Sequence, residues 1–107
     1  MWARLSRFAG LPPERIDQAL HDFEREQVPA FEQLKGFEGV AVMVDRGAGK
    51  AAAITYWATR EDMKESNRLA DQARAQAVET TQPEREPIVD HYEVVLQKAA
   101  MPAGTAG

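Results

Sequence analysis

The chain has 107 residues, 44% of them hydrophobic and 28% charged, which is room for one globular domain and little more. Thirteen Lys and Arg against 17 Asp and Glu give a formal charge of -4, a balance that argues against non-specific nucleic-acid binding, which needs a cationic face. There is no cysteine, so disulfides, thiolate nucleophiles and Cys-ligated metals are excluded.

No segment has an apolar run long enough for a signal peptide or a membrane span, and a cytoplasmic protein without membrane contact is expected. Residues 2–8, WARLSRF, alternate in part and stop at Ala9-Gly10, which reads as a first strand. LPPERIDQALHDFEREQVPAFEQL follows as a helix. Its two prolines suit a first helical turn, where a missing N–H costs nothing, and Glu14 sits well against the positive helix end. Ile16, Leu20, Phe23, Phe31 and Leu34 recur at near-helical spacing and form one apolar face. Pro29 interrupts that face and predicts a kink or a split. Gly36 closes the helix.

GFEGVAVMVDRGAGKAAAITYW then carries two strand-like runs around a glycine-rich centre. Gly49-Lys50 resembles the tail of a phosphate-binding loop, but Val44 stands where that loop needs its first glycine and Ala51 where it needs Ser or Thr. A strand rather than a helix follows, so DRGAGK is read as a hairpin turn. Thr59 with Asp62 makes a capping box before a second helix, REDMKESNRLADQARAQAVET, whose stripe of Met63, Leu69, Ala70, Ala73 and Ala77 is small enough to pack close to a sheet. IVDHYEVVL reads as the last strand, ending a single domain over residues 1–98, and the small, Pro- and Gly-containing tail at 99–107 is expected to be disordered.

The order β-α-β-β-α-β predicts an α+β, ferredoxin-like fold: a four-stranded antiparallel sheet with two helices on one face. GVAVMV and IVDHYEVVL are apolar on both faces, and two helices cover only one. A homodimer through the open sheet face is expected.

With that order in place, the sequence resembles the dimeric α/β-barrel superfamily, and within it the antibiotic biosynthesis monooxygenase-like domains. The likeness is carried by VPAFEQLKGFEGVAVMVD, with its Gly36-Phe37-Glu38-Gly39 turn, by ITYWATREDM, where Trp57 ends the third strand, and by HYEVVL. The resemblance implies a small-molecule pocket between sheet and helices. It also implies, for some members, oxidation of aromatic substrates by dioxygen with no flavin, haem or metal. Relatives that degrade haem use a histidine on the second helix, and residues 60–79 contain none.

In such a pocket Trp57 would offer an indole N–H and a flat wall to a substrate anion; otherwise it fills the core at a strand end. Asn67 could donate to a substrate oxygen or simply be solvated. His91 points opposite to Asp90 and Tyr92, making it a general base if it faces the helices and an interface residue if it faces a partner. Arg4 and Ser6 share a strand face with Trp2 and Phe8, and an arginine among aromatics must be neutralised by a carboxylate or by an anionic ligand. Tyr56 and Tyr92 could line either face. His21 lies apart from His91, and the two make no metal site. Two functions remain open: a cofactor-free monooxygenase-like protein acting on a small aromatic or quinol-type metabolite, and a non-catalytic small-molecule-binding or structural homodimer.

Overall fold

The computed structural model describes residues 1–100, and the expectation for the C-terminal tail falls chiefly outside them. The elements are β1 (Trp2–Phe8), α1 (Pro13–Asp22), a π-helical segment (Phe23–Gln27), α2 (Val28–Glu32), β2 (Phe37–Asp45), β3 (Lys50–Trp57), α3 (Arg60–Glu65), α4 (Asn67–Thr81) and β4 (Ile88–Glu93). The strands form one antiparallel sheet in the order β2-β3-β1-β4. This is the expected ferredoxin-like arrangement, with β2 and β4 at the edges.

Both helical stretches are interrupted, each for a local reason. In the first, Val28 N–H reaches back to Phe23 O, so one turn is widened directly before Pro29. The proline has no N–H to give, and a regular turn there would leave an acceptor unpaired. The second break, at Ser66, was not anticipated from sequence. Ser66 is fully buried and its Oγ donates to Met63 O at 2.6 Å, competing with the helical pattern and ending α3. Thr59 caps α3 as expected, its Oγ1 accepting from Asp62 N at 3.0 Å.

The DRGAGK segment is a hairpin turn: Asp45 Oδ1 accepts from Ala48 N at 3.0 Å, and Asp45 pairs with Lys50. Gly49, at φ +63°, ties this turn to the β1–α1 loop through Leu11 N–H to Gly49 O at 2.9 Å.

One end of the sheet–helix layer is packed solid. Phe31, Trp57, Met63, Ala70 and Ala73 are buried together, with Phe37 and Leu34 against them. Trp57 stands 5.5 Å from Phe37 and 6.0 Å from Phe31, both edge-on, an arrangement that adds to simple area burial. Ala58 N–H donates to Gly36 O at 2.8 Å, locking the entry to β2 against the exit from β3. Gly36 is at φ +79°, and a Cβ there would overlap the Asp62 carboxylate. Gly36→Ala should therefore lower stability by about 1–3 kcal/mol, read as a reduced urea midpoint with an unchanged m-value.

Candidate functional site

Strand register gathers the polar side chains of the helix-facing sheet surface into one row. Arg4 lies in register between Thr55 on β3 and His91 on β4, and the next row holds Ala53, Ser6 and Val89. Side chains at directly opposed positions share a face, so Thr55, Arg4 and His91 all point to the helix side. Arg4 is 3% exposed. Its Nη2 donates to Met63 O at 2.8 Å and to Asn67 Oδ1 at 2.5 Å. The Met63 carbonyl is within reach because the helix breaks at Ser66, and Asn67 opens α4 just beyond it. From the next turns of α4, Arg74 donates to Ser6 Oγ at 3.4 Å and pairs with Asp71.

These groups form the polar end of a cavity between sheet and helices. Its volume is about 100 Å³. Arg4, Ser6, Thr55 and Arg74 converge on it from β1, β3 and α4. Apart from Thr81 at the end of α4, the rest of the wall is apolar, with Ile16, Phe23 and Phe31 from the first helical stretch and Val42 and Ala53 from the sheet. No His, Asp or Glu side chain lines it. Among the described residues no group of three or more such side chains could hold a metal ion.

Charge in this region is mostly positive. Burial and the nearby Arg74 charge push the Arg4 guanidinium down to about 10, against a partial opposing effect of Asp71; it stays charged at neutral pH. His91 is held below its ordinary value, first by loss of solvent and then by the charges of Arg4, Arg74 and Arg60, with Asp90 pulling the other way. His91 is therefore neutral at pH 7.

Of the residues singled out from sequence, Arg4 and Ser6 line this cavity; Asn67 accepts from Arg4 behind the wall, and His91, in register with Arg4, is solvent-exposed at the sheet edge outside it. Trp57 is 0% exposed and belongs to the packed end of the layer. Its Nε1 donates to Thr55 Oγ1 at 3.0 Å, so the indole N–H is already occupied. Tyr56 and Tyr92 flank Ala3 in register and lie on the other, open face of the sheet. Thr55 and Arg74 were missed. Thr55 could have been found as the same-face neighbour two residues before Trp57, and Arg74 as the one charge set into the alanine stripe.

No family model and no curated protein matches the sequence. Solved structures do match. A Streptomyces coelicolor monooxygenase from the gene ActVA-Orf6, in complex with nanaomycin D, superposes with a TM-score of 0.73 at 8% identity, over 95% of this chain and 92% of that one. A dimeric ferredoxin-like protein from an uncultured marine organism gives a TM-score of 0.70 at 6% identity, over 94% and 92%. A variant of SnoaB, a cofactor-independent oxygenase from Streptomyces nogalater, gives 0.64 at 14% identity, over 90% and 94%. The fold is thus a ferredoxin-like one shared with a monooxygenase, with a cofactor-independent oxygenase and with a protein of unknown function from Nitrosomonas europaea.

The electrostatics can be checked directly. In an NMR titration His91 should ionise below 6.5, and Arg74→Gln should move it upward, because one of the positive charges that oppose protonation has gone. An unchanged titration would mean that Arg74 is not within electrostatic reach of the ring.

Proposed function

We propose that the protein binds a small aromatic or quinol-type molecule in the cavity between sheet and helices and oxygenates it without a bound cofactor. The observation that carries this reading is the cavity itself, apolar along most of its wall, with Arg4, Ser6, Thr55 and Arg74 among its few polar side chains. Support comes from the shared fold of the nanaomycin D complex and of SnoaB, described in its own structure as cofactor-independent.

In this reading a phenol or enol held beside the Arg4 charge loses its proton to solvent, since His91 stands exposed outside the cavity wall. The anion then passes an electron to dioxygen, and recombination followed by loss of water turns a CH₂ group and O₂ into C=O and H₂O. Asn67 acts by holding Arg4, and Trp57 by fixing the Thr55 hydroxyl, which accepts the indole N–H and keeps its own proton to donate. Ser6 and Arg74 complete the polar end. The open sheet face, with Met43, Ile88 and Tyr92 exposed, pairs with a second copy, and Tyr56 and Tyr92 then belong to that interface.

A non-catalytic binder is the second reading, favoured by the lack of any His, Asp or Glu in the cavity wall. Oxygen consumption by metal-free protein given anthrones and dihydroquinones separates the two. Uptake that falls at least tenfold in Ala53→Leu, which fills the cavity from β3, supports the oxygenase. Ligand-induced quenching of tryptophan fluorescence without uptake supports the binder. In sedimentation, the wild type should run as a dimer and Tyr92→Glu as a monomer; a monomeric wild type would leave the open face without its proposed partner.

A further inference from the structure

Arg4 poses a physical problem that the surrounding protein leaves unfinished. Its guanidinium is 3% exposed and charged, yet among the described residues no carboxylate forms an ion pair with it. The Asp71 carboxylate, whose charge it feels, is bonded to Arg74 instead. Nη2 is saturated by Met63 O and Asn67 Oδ1, both uncharged acceptors. Nη1 is buried and has no hydrogen-bond partner. It is the one buried side-chain nitrogen or oxygen in this condition among the described residues. A buried donor on a charged group is costly to leave unpaired, and natural interiors rarely do so without a reason.

The placement supplies the reason. Arg4 lines the cavity, and its register neighbour Thr55 lines it too, with a hydroxyl already fixed as an acceptor by Trp57 and a proton left to donate. Ser6, on the same strand face, is held by Arg74. A cationic fork and a neutral donor, with no carboxylate in the wall, suit an acceptor oxygen that carries negative charge.

We infer that the cavity selects ligands bearing an ionised oxygen, a carboxylate or a phenolate, which the Arg4 guanidinium receives with the Thr55 hydroxyl beside it. This rests on the cavity being the ligand site, and it specifies the ligand: one anionic oxygen on a small apolar, planar body. The neutral part fills the space between Phe23, Phe31 and Val42, and the oxygen lies at the β1–β3 end. The same contact would hold a phenol in its ionised form, the form that reacts with dioxygen.

The test compares benzoate with its neutral isostere benzamide by calorimetry, and follows 4-nitrophenol by its visible absorbance. Benzoate should bind about tenfold or more tighter than benzamide, the discrimination expected of a hydrogen bond to a charged group. Bound 4-nitrophenol should show phenolate absorbance at a pH where the free compound is still protonated. A preference for phenolate over benzoate identifies an enolate or phenolate substrate, and the reverse identifies a carboxylic acid; either supports the anchor. In Arg4→Met the benzoate preference should disappear while benzamide still binds, and Arg4→Lys should keep part of it. Should both variants fail to fold, the wild-type comparison decides, together with His91, whose NMR titration must shift upward when benzoate binds nearby. Equal binding of benzoate and benzamide, with unshifted nitrophenol, overturns the anchor, while the cavity reading stands. Absence of binding by all three compounds overturns both.

Discussion

The structure depends on one buried cation. Placing the Arg4 guanidinium between sheet and helices removes it from water, and the fold has to return enough acceptors to hold it there. It does so by breaking a helix. Regular α-helix from Arg60 to Thr81 would commit the Met63 carbonyl to its own fourth neighbour. The interruption at Ser66 leaves that oxygen to accept from the Ser66 N–H and Oγ and from Arg4 together. Asn67, on the far side of the break, supplies the second acceptor. One arginine thereby joins β1 to both halves of the second helical stretch, and the break becomes part of how sheet and helices are held together.

Trp57 illustrates how a packing role and a site role can meet without coinciding. Its ring is core, wedged against Phe31 and Phe37, and its edge reaches Thr55. Thr55 in turn sits opposite Arg4 on the neighbouring strand. The solid end of the layer thus sets the geometry of the hollow end through a single hydrogen bond. The tryptophan does not itself line the cavity, yet it backs two residues that do, Phe31 and Thr55, and the orientation of the Thr55 hydroxyl follows from the indole N–H.

Local pattern made the fold readable. Strand alternation, the Thr59 cap, the DRGAGK turn and the interruption at Pro29 are all decided by residues within a few positions of one another, and each stands where sequence reasoning put it, save that the last strand, read through Leu96, ends at Glu93. The break at Ser66 was missed because its local bond, from Ser66 Oγ to Met63 O, is one option among several for a helical serine, and the arginine that shares this carbonyl is distant in sequence. The site was half legible for the same reason. Arg4 and Ser6 could be paired on one face by alternation alone, and Arg4 could be recognised as needing a counterpart. That Thr55 and His91 flank it depends on the register of β1 against β3 and β4, which no short-range signal encodes. The assignment of Trp57 to a pocket rested on family resemblance, and the indole N–H turned out to have a partner two residues away on its own strand.

The cavity wall has one more property with a direction to it. Ala19 from α1, Ala51 and Ala53 from β3, and Ala70, Ala73 and Ala77 from α4 all border the space. Each is already the smallest side chain that leaves helix or strand propensity intact, since glycine at an interior position costs roughly 0.5–1 kcal/mol. Sequence drift at these six positions can therefore change capacity in only one sense. Any replacement that preserves the backbone fills space, and different replacements fill it at different places along the wall. A lineage built on this backbone begins with its most permissive cavity and acquires selectivity by losing volume.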